Sequence, residues 1–209
     1  MELKLVLLAA AVGMTLAATG CAAGTHSGAS EQSRGQAQAA AARAASARAA
    51  AMSDLPFGGD CAGLPDQGQG SIQSMAGYPV ETATSHDPQL TMFARVIRAA
   101  GLARKLNSAT ELTVFAPDNG AFAQFGTGNF QTLLGSKTDL RHLVDYQIVD
   151  GRVTPARLAA GEPLTSLLGT PVYPAGSAGE YHVDNARVIC GDLRTANATV
   201  YIVNQLMIP

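Results

Sequence analysis

Residues 22–52 contain no Leu, Ile, Val or aromatic side chain, and this decides where a fold can be built. The segment reads AAGTHSGASEQSRGQAQAAAARAASARAAAM. With almost no apolar surface to bury, it cannot offset the conformational entropy lost on ordering. It reads as a tether, Gly/Ser/Gln-rich coil at first and then, from Gln36, an Ala/Arg-rich stretch of good helix formers. Core residues must come from elsewhere. From Leu55 onward the composition becomes that of a compact body of about 150 residues, a common size for one core, and no internal repeat is visible in it.

Ahead of the tether, Leu5 to Ala17 reads LVLLAAAVGMTLA without a charge. A run of about a dozen apolar residues is too short for a bilayer core, which takes about 20, and a cleaved export signal fits it better. Ala18-Thr19-Gly20-Cys21 follows. It resembles the bacterial lipobox, in which the Cys thiol takes a diacylglycerol and the peptide is cut before it. Ala18 stands where that motif usually has Leu, and Lys4 is opposed by Glu2. On this reading residues 1–20 are a lipoprotein signal peptide, Cys21 is the lipidated first residue, 21–54 are the tether and 55–209 the folded domain. Acyl chains that contribute about 0.8 kcal/mol per buried CH₂ would then hold the protein at a membrane. Ordinary secretion with Cys21 unmodified is the alternative.

Cys61 and Cys190 remain, in a chain expected to reach a compartment where disulfides persist. Paired, they would close a loop of about 130 residues, worth up to about 5 kcal/mol; unpaired, they would be buried thiols. His26, His86, His142 and His182 are scattered singly and no CxxC or HxxxH spacing occurs, so no metal site is expected. A charged fraction of 14% and a net charge of −2 give no electrostatic preference for polyanions, and nucleic acid is not an expected partner. Arg95, Arg98, Arg104 and Lys105 do gather in one segment, which reads as the solvated face of a helix. Aromatics are 5% and Trp is absent, a poor supply for base or sugar stacking.

The period of the apolar residues divides the domain. GSIQSMAGYPVETATS reads as a helical region restarted at Pro79. His86-Asp87-Pro88 offers a capping Asp with Pro at the first helical position. Leu90, Phe93, Val96, Ile97 and Ala100 then form one apolar stripe, ended by Gly101 or Asn107. In ELTVFAPDNGAF the β-formers Leu112, Val114 and Phe115 give a strand that Pro117 stops, and a short helix capped by Asp118 or Asn119 follows.

TVFAPDNGAF, Thr113 to Phe122, resembles the first signature of fasciclin-type domains, usually T-[VI]-F-A-P-[TDS]-[ND]-x-A-F. The second family signature is a polar residue, small residues and an alternating strand finishing in Leu-Pro, and Asn197 to Pro209, NATVYIVNQLMIP, is similar to it. Between them NFQTLLGSKTDLRHLVDYQIVDGRVTPARLAAG has the expected order of two helices, a strand at Tyr146 to Val149 and a short helix opened by Thr154-Pro155. TPVYPAG, EYHVD and ARVICG read as short strands. The resemblance covers residues 70–209 and implies an α+β fold, a single domain with a roughly seven-stranded β-wedge or sandwich and helices packed along one side. Within the family, GDCAGL and ICGDLRTANATVY are similar to mycobacterial-type secreted antigens and their surface lipoprotein sibling, which implies a Cys61–Cys190 disulfide.

Many fasciclin domains have Tyr-His where this chain has Tyr146-Gln147, a place associated with integrin adhesion in animal matrix proteins. With Gln in place of His the integrin association does not carry over, and because Gln cannot gain charge, any role of the His in ionic recognition or pH response is lost as well. Tyr146 and Gln147 remain possible binding residues beside the plainer reading of a core ring with a satisfied hydroxyl. Asn197-Ala198-Thr199 matches a glycosylation sequon only as a pattern, and Asn197 is expected to bond backbone at the start of the last strand. No GxSxG elbow or phosphate loop is present, so neither catalysis nor a cofactor is expected. The sequence therefore suggests a membrane-anchored, cell-surface fasciclin lipoprotein that contacts an extracellular or envelope macromolecule. An extracytoplasmic receptor for a small apolar ligand and a structural envelope spacer are the alternatives.

Overall fold

The computed structural model describes residues 55–209, together with Gln36 and Gln38, which are helical and exposed. The expected leader, Cys21 and the rest of the tether lie outside the described residues. The helices are α1 (Ile72–Met75), α2 (Val80–His86), α3 (Thr91–Ala100), α4 (Ala103–Ser108), α5 (Asn119–Phe125), α6 (Thr127–Leu134), α7 (Lys137–Tyr146) and α8 (Pro155–Ala159). The strands are β1 (Leu112–Pro117), β2 (Ile148–Asp150), β3 (Leu164–Thr165), β4 (Pro171–Val172), β5 (Pro174–Ser177), β6 (Glu180–Val183), β7 (Ala186–Arg194) and β8 (Ala198–Val203).

The fold is α+β. Its main sheet has six strands in the order β2-β1-β8-β7-β6-β5, and β3 and β4 form a separate pair, where the family resemblance implied about seven strands. β1 runs parallel to β8, and the other pairings are antiparallel. Every residue of β1 and β8 is buried because both faces of the sheet are covered. Successive side chains of a strand point to opposite faces. Val114, Ala116, Val200 and Ile202 accordingly join Phe93, Ile97, Leu140 and Val144 on the helical side. Phe115, Tyr201 and Val203 join Leu158, Val172, Tyr181 and Val183 on the other.

The apolar stripe of α3 is buried as its spacing requires, and Gly101 ends the helix at φ 73°. The helix begins three residues later than Asp87-Pro88 suggested. Asn119 Nδ2 donates to Pro88 O (2.8 Å), the Asn119 N–H donates to Gln89 O (2.8 Å), and Met92 N–H donates to Asn119 Oδ1 (2.9 Å). These bonds take the groups a first helical turn would have used, leaving Asp87 to accept from Gln89 N–H (2.8 Å) in a turn. A second boundary also differs from expectation. Tyr146 is the last residue of α7 rather than the first of a strand, because the Gln147 N–H still closes the helix onto Leu143 O and Val144 O.

The segment before α1 straps β7. Phe57 N–H donates to Gly191 O (3.2 Å) and Gly191 N–H to Phe57 O (2.7 Å), and a 3-10 turn, Gly59–Gly63, follows. Cys61 is bonded to Cys190 there, with Cα atoms 4.9 Å apart. Gly191 lies under the Phe57 ring, where a Cβ would collide with it. The strap crosses at a bulge in β7, beside Asp192, which has φ 57° and pairs with Arg194 at 3.1 Å. Among the described residues, no helix is long and apolar enough to cross a membrane.

Candidate contact surface

The Tyr146-Gln147 pair sits where α7 passes into β2, and its two side chains go to different places. Tyr146 is 5% exposed, and its hydroxyl donates to Asp184 Oδ2 at 2.9 Å. Burial, then the bond to Asp184 and its charge, push the Tyr146 hydroxyl up to about 12, so it remains a protonated donor at neutral pH. Gln147 is fully buried. Its amide donates to Met207 O (2.7 Å) and Leu143 O (3.3 Å) and accepts from Met207 N–H (3.4 Å), pairing with the tail as another strand would. A side chain with one donor end and one acceptor end meets both backbone groups of Met207. Any partner reaching this pair meets Tyr146 and Asp184 before Gln147.

Around that pair lies an irregular surface with two of the exposed large apolar side chains. Asp184 occupies a left-handed turn (φ 52°) between β6 and β7, and its Oδ1 accepts from Tyr173 N–H at 2.9 Å. The Tyr173 ring is held outward, 56% exposed. On the next residue, Asn185 Nδ2 donates to Gln205 Oε1 (3.1 Å), fastening the turn to the tail after β8. Ile208, also 56% exposed, closes a surface depression of about 250 Å³ lined by Phe125, Asn185, Gln205 and Leu206. Tyr173 and Ile208 thus flank a frame of hydrogen-bonded Asp184, Asn185 and Gln205. An amphipathic ring and an apolar side chain on a fixed polar frame suit contact with another macromolecule. Among the described residues, no group of three or more His, Cys, Asp or Glu is placed to hold a metal ion.

Residues 88–209 match the family model of the fasciclin domain. The chain belongs to the fasciclin family. It is 32% identical over 167 residues to the immunogenic protein MPB70 of Mycobacterium bovis, covering 77% of this chain and 85% of that one. It is also 32% identical over 171 residues to the cell surface glycolipoprotein MPB83 of the same species, covering 77% and 76%. A protein of Synechocystis, sll1483, is 33% identical over 132 residues, 62% of this chain and 72% of its own. Among solved structures, a FAS1 domain pair from the insect cell adhesion molecule Fasciclin I superposes with a TM-score of 0.56 at 13% identity, over 65% of this chain. The match spans about half of that domain pair, 52%, and shows the shared fold.

In this fasciclin domain the signature residues hold the frame together. Thr113 Oγ1 donates to Gly151 O and accepts from Val153 N–H, both at 2.7 Å, tying β1 to the loop after β2. Phe115 stacks on Tyr201 at 5.7 Å, and Tyr201 donates to Val153 O (2.7 Å). Asp118 caps α5, accepting from Ala121 N–H at 2.6 Å. Asp118, Asn119 and Gly120 also border a depression of about 530 Å³ shared with Gly59, Asp60 and Gly63 of the strap and Pro88-Gln89. The sequence pointed to Tyr146 and Gln147. Tyr173, Asp184, Asn185 and Ile208 went unnoticed: the first three lie in links between short strands with no motif around them, and Ile208 lies in the second signature, which marks the family and not an exposed position. A period-2 reading that set Tyr173 outside the apolar alternation of TPVYPAG is the one signal that could have found it.

Proposed function

We propose that this protein is a lipid-anchored, extracytoplasmic fasciclin module that acts by contact and not by catalysis, holding a cell-envelope or extracellular macromolecule through the Tyr173–Asp184–Ile208 surface. The observation that carries the reading is the 32% identity to a cell surface glycolipoprotein over 171 residues, joined to the lipobox-like Ala18-Thr19-Gly20-Cys21. Residues 1–20 are the signal, 21–54 the tether and 55–209 the functional head. Retention through Cys21 would raise the local concentration of the head at the envelope, so that a modest contact suffices. The hydrophobic interior between sheet and helices is filled by side chains such as Phe93, Leu140 and Ile202, which favours surface contact over enclosure of an apolar ligand.

A photo-cross-linking residue in place of Tyr173, used on intact cells that carry the full chain, tests this. A discrete adduct with an envelope component, weakened when Ile208 is replaced by Asp, is the expected result. Adducts of unchanged yield in the Ile208→Asp chain, or no adduct besides the chain itself, would overturn the assignment of the surface.

A further inference from the structure

Charge is unevenly spread over the folded domain. Arg95 and Arg98 on α3, Arg104 and Lys105 on α4, and Lys137 and Arg141 on α7 are all exposed. α3 packs against α7, and Lys105 of α4 reaches Asp145 of α7 at 3.9 Å. The carboxylates set among these six cations are Glu81, which is 3.7 Å from Arg98, together with Asp139 and Asp145. The remainder of residues 55–209 carries four cations against ten carboxylates. A chain with a net charge of −2 therefore presents one positive helical face on an acidic body.

The fold enlarges the cluster that the sequence displays in residues 95–105. A Cβ added to Gly101 would lie 3.4 Å from Lys137 Nζ and 3.8 Å from an Arg141 guanidinium nitrogen, so both cations crowd the end of α3. Arg141 Nε donates to Ala100 O at 2.9 Å, as the negative end of a helix favours. That local bond accounts for Arg141. Arg95, Arg104 and Lys137 form no ion pair with the described residues, and none of the exposed large apolar side chains, Leu55, Tyr173 and Ile208, lies on these helices. A cationic, apolar-poor face is suited to an anionic surface that it touches and does not penetrate.

The geometry points to docking of this face on a bilayer leaflet rich in anionic headgroups, the membrane to which Cys21 would be anchored. This inference rests on the anchored reading above. Residues 21–54, even fully extended, span at most about 120 Å, so an anchored head stays within reach of its own leaflet. Each Lys or Arg close to such a surface strengthens binding about fivefold. Lys137 and Tyr146 stand at opposite ends of α7, about 14 Å apart along its axis, so one helix carries both the docking face and the start of the contact surface.

The test uses residues 21–209 with Cys21→Ala, which cannot be acylated, so its outcome is independent of whether the anchor exists. Co-sedimentation is measured with phosphatidylcholine vesicles and with vesicles containing one part in three of phosphatidylglycerol. Binding to the anionic vesicles alone is expected, and it should vanish when salt is raised from about 0.1 M to about 1 M, as the Debye length contracts from about 10 Å to about 3 Å. Joint Arg104→Glu and Lys137→Glu replacement should weaken it at least about 25-fold. Arg157→Glu, on α8 and packed near β5, makes a charge change of the same sign away from the face and should leave binding within about twofold. Equal binding to both vesicle types, no binding to either, or an Arg157→Glu loss matching that of the face variant would overturn the proposal. So would salt-sensitive binding to a soluble anionic polysaccharide that excludes the vesicles.

Discussion

Asn197 offers the sharpest test of how this fold is held together. It is 8% exposed, at the turn into β8, and its amide makes three long-range bonds. Oδ1 accepts from Val80 N–H at 2.8 Å, and Nδ2 donates to Leu106 O at 2.7 Å and to Ala109 O at 2.9 Å. One side chain therefore joins the start of α2, the end of α4 and the loop before β1 to the central strand. Asn197→Ala would leave a backbone donor and two carbonyls unmatched. Each unsatisfied buried group costs about 1–3 kcal/mol, and local relaxation recovers part, so a loss of about 3–5 kcal/mol is expected. For a domain of this size that lowers Tm by about 6–20 °C. Urea unfolding followed by circular dichroism would measure it. Asn197→Asp keeps the acceptor for Val80 but turns oxygen toward two carbonyls, and should lose at least as much. A loss under about 1 kcal/mol in both variants would refute the claim that Asn197 carries this junction.

Burial with one oxygen lacking a protein partner raises the Asp87 carboxyl to about 6 from 3.8, partly opposed by its bond from Gln89 N–H. The folded state therefore holds this proton more tightly than the unfolded chain, and stability falls as pH rises from about 4 to about 6, by at most about 3 kcal/mol. Asp87→Asn should raise the denaturation midpoint at neutral pH but not at pH 4, and parallel pH profiles for the two chains would contradict the shift. Replacing Cys61 and Cys190 together by Ser opens a loop with a sequence separation of 129 and should cost up to about 5 kcal/mol. Limited proteolysis should then cut first within the strap at 57–63, and an intact strap under conditions that clip other loops would count against its dependence on the bridge. Gln147→Leu removes both ends of the pairing with Met207 and should cost about 1–3 kcal/mol while speeding exchange of the Met207 amide. Unchanged exchange at Met207 would show that the tail is held by other contacts.

Where local chemistry sets the structure, the sequence was legible. The stripe Leu90, Phe93, Val96, Ile97 and Ala100 became the buried face of α3, Gly101 its left-handed end, and Thr154-Pro155 the start of α8. TVFAPDNGAF gave the family because its residues serve one junction, with Thr113, Phe115, Asp118 and Asn119 each bonded or stacked to a particular neighbour. What could not be read depends on partners far along the chain. Asn119 delays the start of α3 from 28 residues away by donating to Gln89 and Pro88 and accepting from Met92. Gly191, at the end of the strand segment ARVICG, carries no signal of a close approach until Phe57 lies across it. Gln147 looks like a lost His until Met207 meets it across 60 residues. The proposed contact surface is assembled in the same way, from Tyr146 and Tyr173 around the β6–β7 turn and from the tail at Ile208. The positive face joins α7 to a cluster that had been visible only in part.

The most direct measurement is the intact mass of the mature protein from detergent-phase membranes of its own host, beside a Cys21→Ala companion. The expected result is the mass of residues 21–209 plus acyl groups, with membrane retention lost in the companion. An unmodified mass recovered from the culture fluid would contradict the anchored module and leave a diffusible fasciclin domain whose partner must be sought away from the membrane.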